Sequence, residues 1–186
     1  MIATKRDLRE RLSHGKQQPG ITRRPHPFTD EIGKYEIALC KYEHWLTLTS
    51  PLAKIARLFA KLRWHRWGVR LSIGIGPGSF DKGLSIAHAG AINFDQAARV
   101  GQNCRIHEKV TIGASGGTDA PAIGDNVFLA SGCKVMGKVN VADGCVVGAN
   151  AVNVKDVDEP GITVAGVPAK KISDHNSDRF VFWYQN

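Results

Sequence analysis

The sequence predicts a mainly β fold, a parallel β-helix preceded by an α-helical segment, and three observations predict it. The first is a period of six. Steps of six from Phe94 reach Val100, Ile106 and Ile112; after an interruption they restart at Ile123 and reach Leu129, Val135, Val141 and Val147. The second is glycine, 20 of 186 residues with sixteen after Leu71, about 11% against a usual 7% or so. The third is charge. Residues 1–72 carry 15 Lys/Arg against 6 Asp/Glu, whereas residues 73–186 carry 10 against 11. That asymmetry divides the chain into a basic lead-in and a nearly neutral body, and it argues against a uniformly basic nucleic-acid-binding fold.

Six is neither the 3.6 of an amphipathic helix nor the simple alternation of a strand. It describes a short strand and a turn, repeated so that successive coils stack and bury a continuous core. Small residues follow most of the large ones (Gly101, Gly113, Gly124, Ala130, Ala142, Gly148), and a second inward slot recurs at Ala98, Cys104, Val110, Val127, Cys133, Val139, Cys145 and Ala151. Asn103, Asn126, Gly132, Gly144 and Asn150 lie between, residue types that turn through positive φ at little cost. At three repeats per coil, the nine clear repeats and their flanks predict three to four coils. The step from Ile112 to Ile123 exceeds the period by five residues and predicts a loop ejected at one corner.

The elements follow in order. Residues 1–33, polar and without a sustained period, read as a flexible basic arm. Residues 34–72 read as helical: Tyr35–Leu48 is apolar at helical spacing, and Ser50-Pro51 reads as an N-cap with proline in the first turn. The second helix, 51–71, is basic and amphipathic. It is expected to pack on the β-helix end or on a neighbouring subunit, with peripheral contact to an acidic membrane surface as the sharper alternative. Residues 73–169 form the β-helix, and 170–186 form a tail whose aromatic Phe180–Tyr184 should dock at a place the sequence does not name. No apolar run spans a bilayer and no secretory leader is recognisable, so the expected location is cytoplasmic, with the inner membrane face as the place of any contact. Cys104, Cys133 and Cys145 occupy the small inward slot, where free cysteine packs as a small hydrophobe rather than serving as nucleophile or metal ligand.

Of seven histidines, only His88 and His107 fall in the β-helix. Nineteen residues apart, about one coil, they are expected at one corner on adjacent coils, roughly 4.8 Å apart along the stack. The six-step backward from Phe94 lands on His88, so the repeat is expected to slip there, Ile86 and Ile92 turning inward and His88 outward. The ordinary reading of each histidine is a solvent-facing residue.

The segments GLSIAHAGAINFDQAARVGQNCRIHEKVTIGASGG, APAIGDNVFLASGCKVMGKVNVADGCVVGANAV and VAGVPAKKI resemble the serine acetyltransferase branch of the hexapeptide acyltransferases, over roughly residues 73–172. The resemblance implies a left-handed β-helix homotrimer with active sites between subunits, transferring acetyl from acetyl-CoA to a hydroxyl without a metal. It matches His88 to the general base and leaves His107 as a second acid/base or orienting group. Backbone N–H groups of the glycine-rich stretch Gly113–Gly117 can stabilise the developing oxyanion, and Gly113, Ala114 and Ser115 are expected among the residues that bind the cofactor. It also implies a CoA groove past Ala114, Ser131 and Ala149, with Lys170 or Lys171 at the nucleotide phosphates. An imidazole, with a reference pKa near ~6.5, suits removal of a hydroxyl proton.

The departures from that pattern bear on the acceptor. Ala87 stands where the family has an Asp before the base, Gly74 where it has an acidic partner, and Asp119-Ala120 where it has Arg-His before Pro121. Loss of counter-ions for a zwitterionic amino acid favours a neutral acceptor, and the sequence also resembles capsule and exopolysaccharide O-acetyltransferases. The expected acceptor is therefore a saccharide hydroxyl of a surface-polysaccharide precursor, with L-serine as the alternative. From other classes, a γ-carbonic-anhydrase-type zinc enzyme needs three histidines, and a non-catalytic trimeric scaffold needs none.

Overall fold

The computed structural model describes residues 30–181; most of the predicted arm and the end of the aromatic tail lie outside the described residues. Among the described residues two helices lead, α1 (Glu31–Leu46) and α2 (Pro51–Leu71). Asp30 caps α1, its Oδ1 accepting from the Gly33 N–H at 2.8 Å, so the helix begins inside the segment expected as an arm. Ser50 caps α2 as predicted, accepting from the Ala53 N–H at 3.2 Å, with Pro51 following. At its other end Ser72 turns in the left-handed conformation into the first coil.

Fourteen short strands follow. One face of the β-helix carries β1 (Ile73–Gly74), β3 (Ile92–Phe94), β6 (Thr111–Gly113), β9 (Lys134–Met136) and β12 (Val152–Asn153) in parallel register. A second face stacks β2 (Ser85–Ile86), β5 (Arg105–Ile106), β8 (Phe128–Leu129), β11 (Val146–Val147) and β13 (Thr163–Ala165), with β14 (Lys170–Ser173) added antiparallel. The third face holds β4 (Arg99–Val100), β7 (Ala122–Ile123) and β10 (Asn140–Val141), extended by single bridges at Phe80 and Val157. Each face has five parallel rungs, so the solenoid has about five turns rather than three to four. The six-residue spacing undercounts because the first turn carries insertions and the last is interrupted after Ala151.

The core matches the periodic positions. Val100, Ile106, Ile112, Ile123, Leu129, Val135, Val141 and Val147 are buried, as are Cys104, Cys133 and Cys145. Burial pushes the Cys104 and Cys133 thiols up to about 12 and raises Cys145, leaving them as packing groups. Asn103, Asn126 and Asn150 turn the corners at φ 54°, 59° and 56°. The helices close the open N-terminal end: Tyr35 and Leu39 join the core beside Ile73 and Ile75, and the Tyr35 hydroxyl donates to the Ile75 carbonyl at 3.1 Å. Trp64 of α2 stacks on Tyr42 of α1.

The described residues after β13 pack onto the β-helix. β14 pairs with β13, the Ser177 hydroxyl donates to the Asn126 carbonyl, and Phe180 stacks on Phe128 at 4.5 Å with Val181 buried beside it.

Candidate active site

The two β-helix histidines meet at the corner between the second and first faces, and a change in coil length brings His88 there. Across β2 and β5 the register pairs Ile86 with Ile106, a separation of 20; after the corner, β3 and β6 pair Asn93 with Thr111, a separation of 18. The first coil therefore has two more residues at this corner than the next. Ile86 and Ile92 point inward at 4% and 0% exposure, as expected, and the enlarged turn carries His88 to the surface. The six residues from Ile86 to Ile92 are a widened corner rather than a true repeat. Below it the corner is regular: the Lys109 N–H donates to the Gly90 carbonyl, the Gly132 N–H to Glu108 and the Asn150 N–H to Ser131, all near 3 Å. Gly90, Glu108, Ser131 and Ala149 thus form one column.

The His88 and His107 rings lie edge to face with centroids 5.4 Å apart. His107 Nδ1 is 3.3 Å from the Ser131 hydroxyl, and its other side packs edge-on against Phe128 at 4.9 Å. The Phe180 stacking on Phe128 continues this aromatic row, so Phe180 backs the ring that packs on His107. Partial burial lowers the His107 pKa, with help from Arg105 and His88, while Glu108 opposes them. Glu108 is held below the usual carboxylate range by its own backbone N–H, then by the Ser131 hydroxyl and the two imidazoles. The corner thus places a neutral imidazole beside an ionised carboxylate, an arrangement able to accept and hold a proton.

The ring nitrogens of His88 and His107 and a Glu108 carboxylate oxygen lie within 4.8 Å of one another. Two histidines and a carboxylate can ligate a divalent ion, but they are not the three-histidine set of a carbonic-anhydrase-type zinc centre.

The other predicted site residues divide between two corners. Ser131 and Ala149 belong to the histidine column. Gly113, Ala114 and Ser115 lie at the far edge of the next face, where the loop of residues 116–121 leaves, and strand β6 lies between them and His107. The groove expected past Ala114, Ser131 and Ala149 is therefore not one edge of a single chain, because consecutive corners face different directions. The Ser115 N–H donates to the Asp119 carbonyl within the loop at 3.1 Å, so it is engaged rather than offered to an oxyanion. Lys170 is exposed on β14, while the Lys171 ammonium is held by Glu159 at 2.6 Å and Asp174 at 2.7 Å.

Sequence reasoning missed Glu108, Arg105, Phe128 and Phe180. Glu108 directly follows His107, and the 23-residue register between β5 and β8, which pairs Ile106 with Leu129, equals an 18-residue coil plus the five-residue surplus. Counting the surplus into that coil would have set Glu108 over Ser131. Arg105 and Phe128 are register partners on adjacent rungs of the same face.

The class that fold and corner define is a parallel, hexapeptide-repeat β-helix with a histidine pair at one coil corner. Among proteins of this class, the chain is similar to serine acetyltransferases. It is 34% identical over 133 residues to the serine acetyltransferase of Mycobacterium tuberculosis, covering 69% of this chain and 56% of that protein. With the Escherichia coli K12 enzyme it shares 26% over 167 residues, 88% of this chain and 59% of the relative. The chain thus spans somewhat over half the length of these curated relatives. The solved serine acetyltransferase of Vibrio cholerae superposes with a TM-score of 0.72 at 22% identity, over 94% of this chain and 69% of that one. The Brucella abortus enzyme in complex with coenzyme A gives 0.65 at 25%, over 91% and 67%. No family model matches the chain.

Proposed function

We propose that the chain is an acetyl-CoA-dependent O-acetyltransferase in which His88 is the general base. The observation that carries this reading is the corner cluster of His88, His107 and Glu108. In the step it supports, His88 takes the acceptor hydroxyl proton as the oxygen attacks the thioester carbonyl. The tetrahedral intermediate then expels the CoA thiolate, and the imidazolium returns the proton to sulfur. The four cysteines are buried and are not offered as nucleophiles, so the step is written as direct attack. The coenzyme A complex of the Brucella relative supports acetyl-CoA as donor.

L-serine is the acceptor favoured by similarity, because the relatives compared bear that activity in their names. The corner also weakens the premise behind a neutral acceptor: Arg105 and Glu108 put a cation and an anion beside the imidazoles, the two signs a zwitterionic amino acid needs. A saccharide hydroxyl is the second reading, favoured by Gly74, Ala87, Asp119 and Ala120, which stand where a serine site has ionisable groups. Because the histidine corner and the loop corner lie apart in one chain, the complete site is assigned to the contact between copies in a homotrimer, with one copy's loop beside its neighbour's histidines.

The test is thiol release from acetyl-CoA with L-serine and with a panel of sugars, the products identified by mass. Transfer to serine that falls ~10²–10⁴-fold in kcat for His88→Ala, with CoA binding retained, supports the first reading; transfer to a sugar alone replaces it with the second. Full activity in His88→Ala rejects the base assignment.

A further inference from the structure

Helix α2 keeps a continuous apolar face turned away from the protein. Leu52, Ile55, Leu58, Phe59, Leu62 and Val69 are 56–77% exposed. At the 100° per residue of an α-helix they fall on one stripe, opposite Ala53, Gly68 and Leu71, which are buried toward the protein. The stripe is rimmed by cations: Lys54, Lys61 and His65 follow one margin, Arg63 and Arg70 the other, and Arg66 lies within it. The helix has six Lys/Arg and no Asp or Glu. At its C-terminal half Phe59, Leu62, Arg63, Arg66, Trp67 and Arg70 line an open groove of about 510 Å³, which sets three guanidinium groups beside three apolar side chains. Arg70 also pairs with Glu31 at 2.6 Å.

The charge decides what covers this face. A second copy of α2 would bring six cations against six with no carboxylate between them, whereas paired helices use complementary flanking charges. Residues 1–29 carry the same sign, seven Lys/Arg against two acidic residues, and so offer this face no charge complement. An apolar stripe with cationic margins fits a surface that offers hydrocarbon at depth and anions at the rim. No described helix is long and apolar enough to cross a membrane, so the contact lies in the interface plane.

We propose that the outward face of α2 docks on an anionic phospholipid bilayer, Phe59 and its apolar neighbours entering the headgroup boundary and the Arg63–Arg66–Arg70 groove taking lipid phosphates. This stands independently of the acceptor and of the catalytic reading.

The experiment is co-sedimentation of the full chain with phosphatidylcholine vesicles and with vesicles in which phosphatidylglycerol replaces part of the phosphatidylcholine. Binding at least ~10-fold stronger to the anionic vesicles, lost in high salt, is expected for Lys/Arg acting within a Debye length of the surface. Phe59→Asp with Leu62→Asp should release the protein from vesicles with unchanged circular dichroism and unchanged mass by light scattering. Arg63→Gln with Arg66→Gln, which leaves the stripe intact, should reduce the preference for phosphatidylglycerol. Equal or absent binding to the two vesicle types overturns the proposal. So does a fall in assembly mass for the Phe59/Leu62 variant, which would make the stripe a contact between copies.

Discussion

His88 reaches the surface because two residues are added to one coil corner, and its surroundings come from the coils beneath. Glu108 is the neighbour whose charge His107 feels: a carboxylate stabilises an imidazolium, and here it acts against the lowering of the His107 pKa. Glu108→Gln should therefore move an acid limb of the kcat/KM profile that reports His107 to lower pH, since that imidazole binds a proton less tightly without the anion. An unchanged limb would mean that Glu108 does not influence the titrating group. The cysteines give a second check at this scale. With Cys104 and Cys133 thiols raised to about 12 and all four cysteines buried, the native protein should react only slowly with a thiol reagent at pH 8, and unfolding should expose four reactive thiols. Cys133→Ala should retain turnover.

Among the elements, the seating of α1 on the first coil carries its own pH dependence. The Glu36 carboxyl accepts from the Ile86 N–H at 3.3 Å, and burial raises its pKa from 4.5 to about 8. In the unfolded chain Glu36 ionises above about pH 4.5, whereas in the folded chain it holds its proton to about 8. The folded state thus binds more protons across that window, and stability should fall as pH rises from 4.5 towards 8. Glu36→Gln, which keeps the shape without the charge, should flatten this part of the melting-temperature profile and raise the melting temperature at pH 8. A steeper decline in the variant would contradict the burial of this group. Because Ile86 leads into the histidine corner, the same variant tests whether docking of α1 steadies His88: kcat would then hold further into alkaline pH.

For the whole molecule, the separation of the histidine corner from the loop corner makes the proposed site a property of the assembly. Light scattering should give about 60 kDa, three times the 20.2 kDa chain; a 20 kDa particle that still turns over would refute the shared site. Complementation is the sharper measurement. Protomers with His88→Ala and protomers lacking residues 116–120 should each be inactive. Unfolded together and refolded as mixed trimers, they should regain part of the activity, because some contacts then pair an intact histidine corner with an intact loop. No recovery, with mixed trimers shown to form, would place the whole reaction within one chain.

The sequence by itself determined the repeating core from Val100 to Val147 and the burial of three cysteines, through the period of six, and the cap at Ser50, through a serine followed by proline. It also placed His88 outward, although the corner there is widened by two residues rather than a further repeat. Each of these is a local choice: a large or small side chain in an inward slot, or a hydroxyl at the start of a helix, is set by residues a few positions away. The five turns were not legible, because Ile73 and Phe80 form their rungs across insertions that break the spacing. Nor were the neighbours of His88. Glu108 meets Ser131 across 23 residues, Phe180 meets Phe128 across 52, and Glu36 meets Ile86 across 50, distances fixed by coil lengths and loop excursions rather than by any repeat. Only the tertiary structure decided those contacts, since in a solenoid the chain sets which residues point outward, while stacking register sets which outward residues touch.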